Sequence, residues 1–316
     1  MKIAFIGHSY HSHTRSNTFF VELLRKLASV EIFYDETWRG DPSLGQGPGK
    51  DFDATLFDCV VIWQVRYPFE WIREPHPNLV FVPMYDDLIG EGGVTWLDAF
   101  NPAKIVCFSA ALHRLISAHT SRSVHFKYFP DPRRYPAAPP DSILRGIFWK
   151  RVCAIDETVI ARLCGDAVFD TFTLHDAPDP LSGAALIQDP PIPARQIQRT
   201  VWNDAWTEYL HNVAAHNIFF APRPAEGIGM SFLEAMAMGL CVVAPDTPTH
   251  NEYIAHEETG LLYDVSNPQP LDFSCAAEIG ARARQSIEEG FAKWSAAQDD
   301  LLNFIVVPAL TSPCSA

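Results

Sequence analysis

The chain lacks several things that would have decided its class at once. No run of apolar residues approaches the roughly 20 needed to span a bilayer. Its opening residues, Met1-Lys2-Ile3-Ala4-Phe5-Ile6-Gly7, hold an apolar run too short for a secretory leader and read instead as a strand. Basic residues are scarce: Lys and Arg number 24 against 38 Asp and Glu, a formal net charge of −14. A phosphate backbone rewards Lys and Arg. That balance argues against nucleic acid as a main partner, and membrane association is expected to be at most peripheral. No Gly-x-Gly-x-x-Gly follows the first strand, so nothing points to a dinucleotide. There is no Cys-x-x-Cys pair either. The seven cysteines are odd in number and scattered, at 59, 107, 153, 164, 241, 275 and 314. Cys59, Cys107 and Cys241 lie in apolar strand-like runs, where a free thiol packs as a small hydrophobe. That usage fits a reducing compartment, and a cytoplasmic protein is expected.

What remains is a globular composition, 47% hydrophobic and 20% charged, over 316 residues. That length is too great for one ordinary core and suits two domains. Residues 2–7 read as a buried strand, and Gly7-His8-Ser9 opens a polar loop. Ser16 or Asn17 can cap a helix over 18–27, and 30–34 is a second strand. Such a start fits an open, doubly wound sheet, whose ligands sit at the strand C-termini. His8, His11 and His13 cluster in the first loop without a cysteine or carboxylate, so they read as a polar lining and no metal is expected. Residues 38–51 are loop. Strands follow at 57–63, 79–84, 104–109 and 124–128. Asp86 and Asp87, after the strand at 79–84, either project into the ligand crevice or form a solvated turn.

Proline density over 129–140 marks a linker, with the domain boundary near residue 138. The second half restarts with a strand at 146–149, followed by Lys150-Arg151. A helix over 156–163 has an Asp cap. A strand at 168–174 ends at His175-Asp176, a wall suited to a nucleobase. After a Pro-rich loop at 177–193, residues 199–215 read as an amphipathic helical region whose Trp202, Trp206 and Tyr209 are assigned to the core. Helical periodicity covers 270–297, the apolar run 301–307 ends the folded chain, and 311–316 should fray.

The most informative stretch is 221–245, APRPAEGIGMSFLEAMAMGLCVVAP. It follows the strand-like Asn217-Ile218-Phe219-Phe220. Gly227-Ile228-Gly229 lets the backbone approach a ligand closely, and a helix then runs over about 231–238 until Gly239 stops it. The free N–H groups of its first turn, at Met230, Ser231, Phe232 and Leu233, favour an anion. Glu226 precedes the glycines and Glu234 stands one turn into the helix. Two acceptors flanking an anion site suit the hydroxyl groups of a nucleotide sugar. The same residues also spell a capping box, Ser231-Phe232-Leu233-Glu234, in which Glu234 would serve only the helix end.

Glu226, seven residues, then Glu234-Ala235-Met236-Ala237-Met238-Gly239 and Val242-Val243-Ala244 closely resemble the signature of family-4-type retaining glycosyltransferases. The resemblance extends through Asn251-Glu252-Tyr253-Ile254 and Thr259-Gly260-Leu261-Leu262, about forty residues in all. It implies the α/β GT-B fold: two Rossmann-like doubly wound domains facing a cleft. These would be an acceptor-side domain over 1–138, a nucleotide-sugar domain over 139–295 and a C-terminal segment, 296–316, crossing back to the first. It implies transfer of a sugar, with retention, from a nucleoside-diphosphate sugar to a hydroxyl of a glycan, lipid-linked or small-molecule acceptor. No metal and no cofactor beyond that donor is implied. Glu226 would hold sugar hydroxyls, helped by the amides of Gly227, Ile228 and Gly229, and Glu234 would hold the ribose. The amides of Met230, Ser231 and Phe232 would meet the diphosphate. Family members carry an arginine and then a lysine after the first strand of this domain. Arg151 is the choice for the arginine with Lys150 as rival, and a solvated pair as the alternative. The lysine is absent; Val152-Cys153-Ala154 stands there. That departure leaves open a degenerate, binding-only protein. By the same resemblance His8 would touch acceptor or phosphate, Asp86 would line the active site and His175 the donor base.

Overall fold

The computed structural model describes residues 1–36, 39, 47–49, 52–65, 76–90, 103–179, 182–202 and 205–308. Most of the expected loop at 38–51 and the tail at 311–316 lie outside these. The chain divides into two compact units, Met1–Lys127 with Trp294–Ala316, and Tyr128–Lys293.

The first unit is built on six parallel strands: β1 (Lys2–His8), β2 (Ser29–Asp35), β3 (Cys59–Trp63), β4 (Leu79–Val82), β5 (Lys104–Cys107) and β6 (Ser123–His125). Their order is β2-β1-β3-β4-β5-β6. All five residues of β3 and all four of β4 are buried, as expected of parallel strands covered on both faces. Ala4, Ile6, Val60, Ile62 and Phe81 form one core. Helix α4 (Ala110–Ser117) lays Leu112 and Ile116 on Ile105 and Cys107. Ser109 caps it, accepting from the Leu112 amide at 3.3 Å. Residues 10–14, expected as loop, form a short helix α1 (Tyr10–Thr14), and α2 follows at Thr18–Leu24. The long last helix, α9 (Ala276–Val306), gives its C-terminal turns to this unit. Buried Lys104 donates to the carbonyls of Phe304, Ile305 and Val307 at 2.6, 2.8 and 2.7 Å. A cation on carbonyls of the last helical turn satisfies the helix end and its dipole together.

The second unit repeats the plan with β7 (Arg145–Lys150), β8 (Phe169–Asp176), β9 (Ala194–Val201), β10 (Ile218–Phe220), β11 (Cys241–Pro245) and β12 (Leu261–Tyr263). The order is β12-β11-β10-β7-β8-β9, again all parallel. Phe148, Phe169, Phe172, Phe220 and Phe273 anchor its core. Asp156 caps α5 (Glu157–Cys164) by accepting from the amides of Thr158 and Val159. One expectation is corrected here. The helical region begins at α6 (Trp206–Ala214), and Arg199 to Val201 belong to β9. Strand β9 is the sheet edge and mostly exposed, so no apolar alternation marks it in the sequence. Helix α7 (Met230–Met238) is buried over 231–238 and packs so tightly under α9 that a Cβ on Gly280 would lie 2.1 Å from the Gly239 carbonyl oxygen.

Candidate active site

An open parallel sheet binds ligands beyond the strand C-termini, where the chain reverses its direction of winding. In the second unit the chain runs outward through β7, β8 and β9, then returns to place β10 against the other side of β7. The reversal point lies between β7 and β10. Arg151 immediately follows β7, and the loop 221–229 with α7 follows β10.

Helix α7 begins with Gly229, whose φ of 83° is left-handed. A Cβ there would lie 1.8 Å from a ring carbon of Phe232. Glycine is thus demanded twice, by the turn and by the ring beneath it. The first helical bond runs from the Leu233 amide to the Gly229 carbonyl. The amides of Met230, Ser231 and Phe232 therefore have no intrahelical acceptor. The Ser231 hydroxyl is buried and has no hydrogen-bond partner among the described residues. The capping box is not built: the N-cap is Gly229, without a side-chain cap bond, and Ser231 sits inside the first turn.

Both glutamates are 6% exposed. The Glu226 carbonyl accepts from the Thr249 hydroxyl at 3.1 Å, and Thr247 donates to the Pro224 carbonyl, so segment 247–249, just before helix α8 (His250–Tyr253), holds this loop down. The Tyr135 hydroxyl donates to Glu234 Oε1 at 3.5 Å. Burial, then the Glu234 carboxylate, pushes the Tyr135 phenol well above its ordinary range. Tyr209 on α6 is raised by burial and Glu234 and lowered by Arg151, which places Glu234 and Arg151 in one electrostatic neighbourhood.

The two basic candidates separate. Lys150 is buried, donates to the Ile155 carbonyl at 3.3 Å and lies 3.7 Å from the buried Glu157 carboxylate. It neutralises that acid at the start of α5. Arg151 instead pairs with Asp179 at 2.7 Å and lies over the Trp149 ring at 4.7 Å. His175 sits edge-on to Trp149, with Nδ1 2.9 Å from the Thr200 hydroxyl. Its Nε2 is buried and has no hydrogen-bond partner among the described residues.

His8 and Asp86 belong to the first unit. His8 ends β1, at that sheet's own reversal point between β1 and β3, and stacks on His11 with ring centroids 3.8 Å apart. Just past β3, Gln64 has a left-handed φ of 64°, a strained setting for a side chain of this kind. Asp86 lies in the first turn of α3 (Tyr85–Gly90), after β4.

Residues 196–272 match the family model described as Glycosyl transferases group 1. The chain has the GT-B fold. Its fold is similar to that of sucrose-phosphate synthase from Thermosynechococcus elongatus, at 15% identity and a TM-score of 0.67, covering 95% of this chain and 97% of that one. It is similar to the lipopolysaccharide outer core galactosyltransferase WaaB, at 13% identity and a TM-score of 0.63, covering 97% and 100%. The Anabaena protein HepE, in complex with UDP and glucose, aligns at 15% identity and a TM-score of 0.57, covering 95% and 99%. No curated protein matches the sequence significantly. No described helix is long and apolar enough to cross a membrane.

The site also holds residues that the sequence did not mark as functional. Tyr135 and Tyr209 flank Glu234, and Asp179 and Arg223 join Arg151. The available signal was positional: Asp179 and Arg223 follow the ends of β8 and β10, and Tyr135 lies in the linker, whereas nothing set Tyr209 apart within α6. Buried histidines are a second feature. Burial lowers His8 and His175 from 6.5 to about 4 and His250 to about 3, and pushes His11 and His216 down as well. Each takes a proton more readily in the unfolded chain than in the folded one. Their contribution is fully present above about pH 6.5 and is lost as the pH falls towards 4. The thermal midpoint is expected to stay level from pH 8 to 6.5 and then decline, with a shallower decline in His250→Phe. A midpoint unchanged down to pH 5 in a pH-series melt would contradict this.

Proposed function

We propose that this protein is a glycosyltransferase that transfers a hexose, with retention, from a nucleoside-diphosphate sugar to an acceptor hydroxyl. The observation that carries the reading is the bend at Gly229, at the reversal point of the second sheet, with a buried carboxylate on either side. The bare amides of Met230 to Phe232 and the Arg151 guanidinium receive the diphosphate. Glu234 accepts from the ribose hydroxyls, and Glu226 with the Gly227–Gly229 backbone holds the sugar. Charge grows on the leaving diphosphate as the glycosidic bond breaks. Fixed donors stabilise that charge without reorganising at the moment of reaction. His175, neutral at physiological pH, walls the base. His8 and Asp86 are assigned to the acceptor side, as a polar lining rather than as ligands of an ion. The donor is the only co-substrate this chemistry needs, and no covalent nucleophile is invoked. A glycan, lipid-linked or small-molecule acceptor all suit it.

HepE's complex with UDP and glucose makes UDP-glucose the first donor to try. A thermal-shift screen against UDP, GDP and ADP and their sugars tests the reading. One nucleoside diphosphate is expected to raise the midpoint by several degrees, as binding to the folded state alone requires. No shift with any of them at millimolar concentration would overturn the proposal. A binding-only protein is favoured by the absence of the family's lysine after Arg151. Donor binding without nucleotide release, across glycan, lipid-linked and small acceptors, would decide for it.

A further inference from the structure

The segment that opens the second unit, from Tyr128 on, lies against α7. Asp131 caps a single tight turn, Pro132–Arg134, by accepting from the Arg133 amide at 3.1 Å. Tyr135 follows, and its hydroxyl donates to Glu234 Oε1 at 3.5 Å. A little further on, the Ala138 amide donates to the Met238 carbonyl at 2.8 Å. Glu234 and Met238 stand about one turn apart in α7. The linker is thus fastened to the helix at two points, and Pro136, Pro139 and Pro140 stiffen it beyond the first.

That fastening does not need the Tyr135 hydroxyl. The Ala138 bond and buried Pro132 hold the segment, and a phenylalanine would fill the same place. Among the described residues the hydroxyl makes its hydrogen bond to Glu234. Burial and that carboxylate both push the phenol above its ordinary range, so it stays protonated and remains a donor. A glutamate side chain loses rotamer freedom when it is aimed at a ligand. A fixed donor on one oxygen takes that loss before the ligand arrives. A buried carboxylate also keeps its charge, and so its power to accept, only where donors meet it. At 3.5 Å the contact is long, of the kind that tightens as a ligand seats.

We infer that Tyr135 is a positioning residue of the ribose site: from the linker, its hydroxyl fixes the Glu234 carboxylate in the orientation that accepts from the ribose hydroxyls. This rests on the donor reading above. Ribose recognition then depends on the linker, a segment that lies outside the loop 221–229 and outside the strand ends that carry Arg151 and His175.

Calorimetry of the full chain with UDP, GDP and ADP, each beside its dideoxyribose analogue, which lacks both ribose hydroxyls, tests it. The wild type is expected to prefer the ribose form of the nucleotide it binds. Tyr135→Phe removes one oxygen and keeps the ring, so the thermal midpoint should hold. It should weaken the ribose form by about 3- to 10-fold, the scale of one hydrogen bond, and leave the dideoxyribose form unchanged. In initial-rate kinetics the donor KM should rise by a similar factor at unchanged kcat. In the Glu234→Gln background Tyr135→Phe should add nothing, because residues that act through one another are not additive. Equal weakening of both nucleotide forms would make Tyr135 a packing residue and overturn the inference. Unchanged ribose binding, or full additivity with Glu234→Gln, would overturn it too, and in all three cases the donor reading would stand. A wild type that bound both forms equally would take Glu234 off the ribose, and this inference with it. No nucleotide binding by the wild type would remove the donor reading itself.

Discussion

Gly229→Ala is expected to destabilise the protein by about 2–5 kcal/mol and to abolish nucleotide binding. Two separate terms add. A Cβ in the left-handed region costs about 1–2 kcal/mol for an L-residue, and Gly229 stands at a φ of 83°. The added carbon would also lie 1.8, 2.5 and 2.6 Å from three ring carbons of Phe232. Relieving such overpacking costs about 1–3 kcal/mol. The ring has little room to move, since Phe232 is fully buried and packs on His250 at 5.1 Å and Tyr253 at 5.8 Å. The turn must therefore open, and the first-turn amides lose their aim. Gly239→Ala is the matched control. Its φ of 88° carries the same strain, but its nearest foreign atom is 3.8 Å away. Denaturant unfolding should show the Gly239 variant losing only about 1–2 kcal/mol. Equal losses in the two variants would mean that the Phe232 contact plays no part.

Much of this could be read from the sequence because it is local. The bend at 227–229, the helix over α7 and its stop at Gly239 depend on residues within a dozen positions, and glycine placement announces them. Buried parallel strands such as Cys59–Trp63 announce themselves as unbroken apolar runs. Strand β9 did not, because an exposed edge has no apolar face to alternate. Lys150 and Arg151 are neighbours in the sequence and look equivalent there. Alternation along the chain end of β7 sends one towards Glu157 and the other towards Asp179, a difference set by partners 7 and 28 positions away. Likewise the Ser231-x-x-Glu234 pattern is a capping box in letters alone. It fails in space because the N-cap lies two residues earlier, on Gly229, which has no side chain to accept from the first-turn amides. Asp179 and Arg223 sit in proline-flanked loops, and only the sheet order brings them together.

Glu226→Ala is expected to lower transfer by about 100- to 1000-fold, the loss typical when a fixed group that supports the transition state is removed, while leaving the affinity for the bare nucleoside diphosphate nearly unchanged. Glu226 stands before the glycines, on the sugar side of the bend, whereas Glu234 stands within the helix beside Tyr135 and Tyr209. The two carboxylates should therefore divide the donor between them. Glu234→Gln should weaken nucleoside diphosphate and sugar donor alike, while Glu226→Ala should spare the former and lose the advantage of the latter. Neither should lower the thermal midpoint by more than a degree or two. A buried carboxylate is a burden on the folded state rather than a support, and no helix cap depends on either residue. Initial-rate kinetics with the donor found by thermal shift, set beside calorimetry of the diphosphate, separates these outcomes. If Glu226→Ala weakened the bare diphosphate as much as the sugar donor, the sugar would not lie on that side of the bend. A midpoint that fell by ten degrees would instead make Glu226 a structural group. Its carbonyl bond to Thr249 would then be the contact to pursue.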